Sequence, residues 1–152
     1  MTDEFKCLAD TRHLSVVLEA SAQWAPRLEK LEEVLEWAVD ISTLAAAQMS
    51  PLERQGLVHL FELCHEKAYS CLHSYLRWQG VTHAHGPRDV IREAFALEII
   101  KNGEAWMDLN ACRGVALKSH HNIIAIELCA RIQKQFFPLM RELVQNLKGR
   151  SC

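Results

Sequence analysis

The segment WMDLNACRGVALKSHH, residues 106 to 121, carries the side chains best suited to chemistry: Arg113, Lys118, His120 and His121. Arg113 and His120 are seven positions apart, and at ~100° per residue that spacing returns to nearly the same helix face. A fixed positive charge beside a group that titrates near neutrality suits the handling of phosphate. On one unbroken helix the two α-carbons would stand ~10.5 Å apart along the axis. Sharing a single phosphate then needs a long reach from Arg113, a break in the helix, or a second subunit. Gly114 weakens helix locally, so a bend just after Arg113 is expected.

The rest of the chain has to position this segment. Its 152 residues suffice for one domain with its own core. Nearly half are hydrophobic, glycine and proline are few, and strand-like alternation is scarce. The expected class is all-α, an up-and-down bundle of four to five helices. A formal net charge of -2 excludes a broad basic face of the kind that drives nonspecific nucleic-acid binding. No run reaches the length of a membrane span, and the opening MTDEFKCLADTR has no apolar signal core. The cysteines (Cys7, Cys64, Cys71, Cys112, Cys129, Cys152) are scattered without a C-x-x-C. They read as buried or incidental thiols of a reducing compartment, and the cytoplasm is the expected location.

Residues 1 to 26 form an N-terminal extension, with a short helix from Leu14 to Trp24 ended by Pro26, and residues 27 to 152 form the bundle. Leu28, Leu31, Val34, Leu35, Ala38, Ile41 and Ala45 recur at three- and four-residue steps, predicting a helix from Arg27 to Ala47 that stops near Met49. Ser50, Pro51 and Glu53 make a capping box for the next. Its stripe runs Leu57, Leu60, Phe61, Cys64, Ala68, Cys71, Leu72, Tyr75 and Leu76, to a C-terminal Gly80. Glu62 and Glu66 lie one turn apart beside that stripe. A di-metal site would need carboxylate or histidine partners on other helices, and none stands in register. The two read as a solvated or hydrogen-bonded face, and His83 and His85 as surface loop. Pro87 starts a helix to Ile100 with Phe95 and Ile99 inward, Asn102-Gly103 breaks it, and a further helix carries Trp106, Leu109 and Arg113. Trp106 reads as a core anchor. The last helix starts between Lys118 and Ile123 and ends about Leu147, with Pro138 kinking or breaking it.

Three blocks in order carry a resemblance: HLFELCHEKAYSCLHSYLRWQG, with its phenylalanine-glutamate pair and second glutamate four residues on; GPRDVIREAFALEIIKNGEAWMD; and the Arg113 to His120 segment. Together they resemble the nucleotidyltransferase substrate-binding protein family, a branch of the HEPN superfamily, over about residues 28 to 147. The resemblance implies a homodimeric helical bundle that partners a minimal nucleotidyltransferase encoded beside it, in a two-gene toxin-antitoxin-like module. It implies a metal-independent ribonuclease in which Arg113 holds the scissile phosphate and His120 moves the proton. Lys118 and His121 are the expected substrate-binding residues, with RNA or a nucleotide as ligand and no cofactor or metal. His121 rivals His120; Ser119-His120 aligns with the family's serine-histidine step. Two further readings stay open: a non-catalytic substrate-binding subunit, and a helical dimer in which these groups only satisfy buried polar atoms or pair with Glu62 or Glu66. The chain departs from the family at Gly114, where a polar residue is usual, and in the long arginine-histidine spacing. It departs also at Asn122, where a tyrosine that the partner can adenylylate commonly stands.

Overall fold

The computed structural model describes residues 23–38, 44–116 and 122–150. The expected all-α bundle is what these residues form. α1 spans 23–38, α2 is Pro51–Trp78, α3 is Gly86–Ala96 and α4 is Gly103–Ala116. α5 (Asn122–Arg131) runs through a π-helical segment, Ile132–Phe136, directly into α6 (Phe137–Arg150). α2 is the spine, packed against α3, α4, α5 and α6. Its capping box is closed at both ends: the Glu53 N–H donates to Ser50 Oγ at 3.2 Å and the Ser50 N–H to Glu53 Oε2 at 3.3 Å. Every member of the predicted stripe is buried, and Phe61 stacks on Phe136 with ring centroids 5.4 Å apart. At the far end Gly80 takes φ 91, and the Val81 N–H reaches back to the Leu76 carbonyl at 2.9 Å. With the Gly80 N–H donating to the Arg77 carbonyl at 3.0 Å, that bond closes a Schellman cap, which glycine forms without steric cost.

α1 corrects the reading of Pro26 as a helix stop. Residues 23–38 are helical straight through it. A proline nitrogen forfeits only the bond to the residue four before it, so within this stretch none is lost. Trp24 packs in the core at 5.0 Å from Tyr75 and 5.5 Å from Trp78. Arg27 Nη1 donates to Ser70 Oγ at 2.9 Å and Ser74 Oγ at 2.7 Å, tying α1 to α2.

The first helix also does not extend to Ala47. Ala45 is extended and Ala46–Gln48 is a single 3-10 turn. Ile41, Ser42 and Thr43 are all below-average helix formers, and the turn drops Ala46 and Met49 into the core. α3 likewise ends at Ala96 rather than Ile100. Glu98 takes φ 58, and the Ile99 N–H donates to the Ala94 carbonyl at 2.9 Å. Ending there buries both Ile99 and Ile100, while Phe95, expected inward, is 53% exposed. Its ring covers Gly103, where an added Cβ would meet it at 3.2 Å. A glutamate in left-handed backbone carries strain that glycine escapes. Glu98→Gly is therefore expected to stabilise the fold by about 0.5–1 kcal/mol, read as a rise in thermal midpoint. A fall would mean that Glu98 carries no strain.

Pro138 does not break the last helix. It follows the π segment, in which the Phe137 N–H reaches the Ile132 carbonyl. The wider turn accommodates a residue that has no N–H for an α-type bond.

Candidate functional site

α4 decides where Arg113 goes. Asn102 opens the helix, its Oδ1 accepting from the Ala105 N–H at 3.0 Å. Trp106 and Leu109 bury one face against the bundle, and Asn110 and Arg113 continue that face at helical spacing. Trp106 is the core anchor the pattern predicted, only 4% exposed. The helix does not break at Gly114; it runs on to Ala116. Lys118, His120 and His121 lie outside the described residues.

The residue that sequence reasoning passed over is one on which the Arg113 charge acts. His65, on α2, is 5% exposed. Its Nε2 faces Asn110 Oδ1 across 3.2 Å. An amide oxygen only accepts, so Nε2 carries the ring proton and Nδ1 presents a lone pair. That Nδ1 is buried without a hydrogen-bond partner, and so is the Nε of Arg113. Burial, then the Arg113 charge, lowers the His65 pKa to about 4, with the Asn110 bond acting the other way. The imidazole is consequently neutral at physiological pH. Beside the ring, Tyr69, Leu72, Pro87, Val90, Ile91 and Trp106 line a cavity of about 10 Å3.

Arg113 itself is half-buried. Among the described residues it enters no ion pair: Glu66 approaches Lys67 at 3.9 Å, and Asp108 pairs with Arg131 at 2.8 Å. Neither Glu62 nor Glu66 neutralises it, which removes the purely structural pairing with those carboxylates. Arg131, by contrast, has a structural task. It reaches Cys112 Sγ at 3.1 Å as well as Asp108, and lies 5.2 Å from the centre of the Phe136 ring, clasping α4 to α5 and the π turn. A half-buried guanidinium with no carboxylate partner among the described residues is equipped to receive an anion.

The other expectations resolve simply. His83 is exposed and meets Glu93 Oε1 at 2.9 Å. Among the described residues no three His, Cys, Asp or Glu side chains gather as metal ligands, and no described helix is long and apolar enough to cross a membrane. Cys64, Cys71, Cys112 and Cys129 are free thiols; burial pushes Cys64 and Cys71 up to about 12, far from a reactive thiolate. A groove of about 490 Å3 lies between α4 and the π turn, lined by Asn102, Glu104, Asp108, Gln135, Phe136 and Leu139.

A crystal structure of a protein from Thermus thermophilus matches with a TM-score of 0.65, covering 80% of this chain and 98% of that one at 21% sequence identity. That likeness is one of fold. No curated protein sequence matches. The family described as nucleotidyltransferase substrate binding protein like matches residues 21–149. With the whole described bundle but Arg150 inside that match, the chain belongs to the nucleotidyltransferase substrate-binding protein family.

Proposed function

We propose that the chain is the helical partner of a minimal nucleotidyltransferase, and that Arg113 is the anchor through which the pair holds a phosphate-bearing ligand, a nucleotide or RNA. The observation that carries this reading is the half-buried Arg113 guanidinium, unpaired among the described residues, with its Nε buried and unpartnered. Buried polar groups are ordinarily satisfied, and a ligand oxygen supplies the missing acceptor. The family's own description names the nucleotidyltransferase as the protein whose substrate is bound. On this reading the chain works in the cytoplasm as a homodimer, in a two-gene toxin-antitoxin-like module.

A second reading, metal-independent ribonuclease activity, draws on the same unpaired arginine. His120 would take the proton of a ribose 2′-hydroxyl as that oxygen attacks the neighbouring phosphorus, or return one to the departing 5′-oxygen. Arg113 would neutralise the charge that accumulates on the phosphoryl oxygens. Lys118 and His121 would hold the flanking backbone. Asn122, where the family commonly has tyrosine, removes the expected site of adenylylation, so control by the partner would run through binding.

The decisive experiment is co-expression with a minimal nucleotidyltransferase encoded beside this chain. The two are expected to co-purify as a defined complex. Failure to associate at micromolar concentration would remove the partner role.

A further inference from the structure

The groove between α4 and the π turn, about 490 Å3 in volume, takes no part in the reading of Arg113. Its α4 wall carries two carboxylates one turn apart, Glu104 and Asp108, and Gln135, Phe136 and Leu139 line the other side. None of the described residues that line it is basic. Three of them already grip a guanidinium: Arg131 Nη2 donates to Asp108 Oδ2 at 2.8 Å, its Nε donates to Gln135 Oε1 at 3.4 Å, and its charge lies 5.2 Å from the centre of the Phe136 ring. Resting on the reading of the chain as partner of a nucleotidyltransferase, we propose that the groove repeats this grip at Glu104, on an arginine or lysine side chain that the nucleotidyltransferase presents.

Glu104 carries the charge that is left over. It is exposed and enters no ion pair among the described residues, and Asp108, despite its bond to Arg131, keeps 63% of its side chain exposed. A wall of that sign repels phosphate, and it draws in and steers a cation. Half-buried Leu139 offers apolar surface to the methylene stem of a long basic side chain. The volume is that of a pocket which encloses many atoms, not a bare ion. On the other side of Glu104 the exposed Phe95 ring lies over Gly103, and Leu97 is exposed as well. Large apolar groups open to solvent beside a charged rim are what a protein partner covers, whereas a free cation covers none of them. α4 then holds the partner with its first turns and, through Arg113 in its last turn, the ligand. Glu104 also faces the positive end of the α4 dipole, a role that stabilises the helix without touching a partner, so measurement separates the two.

The test follows association of the full chain with the minimal nucleotidyltransferase encoded beside it, at low and at high salt. The unsubstituted pair is expected to associate faster at low salt. Glu104→Lys, which sets a like charge where the cation docks, is expected to weaken the complex at least about tenfold. Glu29→Lys makes the same change of net charge at an exposed position of α1 outside the groove, and is expected to leave affinity within about twofold. Should Glu104→Lys fail to fold, Glu104→Gln decides the matter through slower association and a flatter salt dependence. A lowered thermal midpoint with unchanged association would leave Glu104 a partner of the helix dipole alone, overturning the docking site while the partner role stands. Equal losses in both lysine variants would overturn it too, since they report net charge and not the groove. If Glu104→Lys instead shifts self-association of the chain alone and spares the complex, the groove belongs to a second copy and not to the nucleotidyltransferase. No complex with the unsubstituted chain would remove the partner role and the docking site together.

Discussion

Arg113→Ala is expected to reduce phosphate-ligand binding by about 10–100-fold, the worth of a charge-assisted contact, and any RNA cleavage by about 10²–10³-fold, the cost of losing a transition-state donor. Stability should change by less than about 1 kcal/mol, because no buried partner is stranded. A structural arginine behaves otherwise: its removal strands a partner in the protein interior, and the penalty is that of an unpaired buried group. Arg113 has no such partner among the described residues, and its buried Nε is itself unsatisfied. Truncation therefore removes an unsatisfied polar atom along with the aliphatic stem. Arg131→Ala supplies the contrast, since it releases Asp108, Cys112 and the face of Phe136 at once. That variant should lose stability and leave anion binding through Arg113 in place. Arg113→Lys should recover part of the binding, because a lysine keeps the charge but not the planar fork. Isothermal titration beside thermal melting separates the two arginines. If Arg113→Ala binds the ligand normally but melts early, the site does not exist.

The bundle was legible in the sequence where one physical rule acted alone. The α2 stripe, the Ser50-Pro51-Glu53 cap and Gly80 each repeat a local preference, and the structure follows them. Legibility failed where burial overrode propensity. No pattern at Glu98 announces left-handed backbone, because the gain lies in burying Ile99 and Ile100 beyond it. Pro138 signals a defect in an α-helix, yet a single π turn before it lets the helical chain run on without a break. The site was half visible. Arg113 stood out as a charge set beside an apolar face, whereas His65, flanked by Cys64 and one turn past Phe61, passes for part of the packing stripe. The sign that could have found it is a polar residue on the buried side of α2 matched by Asn110 on the buried side of α4. Two buried polar groups on facing helices call for each other, but that match requires knowing which helices face.

Acid is expected to unfold this chain through His65. In the unfolded state the imidazole titrates near its ordinary 6.5, and in the fold it is lowered to about 4. Above pH 6.5 both states are neutral there and the group contributes no pH dependence. Below it the unfolded chain binds a proton that the folded chain refuses, so stability falls as pH drops and levels off under about pH 4. The displacement is worth about 3 kcal/mol, a large fraction of what holds a domain of this size together. Denaturant midpoints measured from about pH 7.5 to 4 should fall steeply in the unsubstituted chain and less steeply in His65→Gln, whatever that variant costs at the upper end. Equal slopes would mean that the buried ring is not the proton acceptor. Because the Arg113 charge is the second cause of the depression, after burial, Arg113→Ala should also shallow the slope, but only in part. A saturating oxyanion should do the same to the unsubstituted protein, which makes acid stability a reporter of what Arg113 holds.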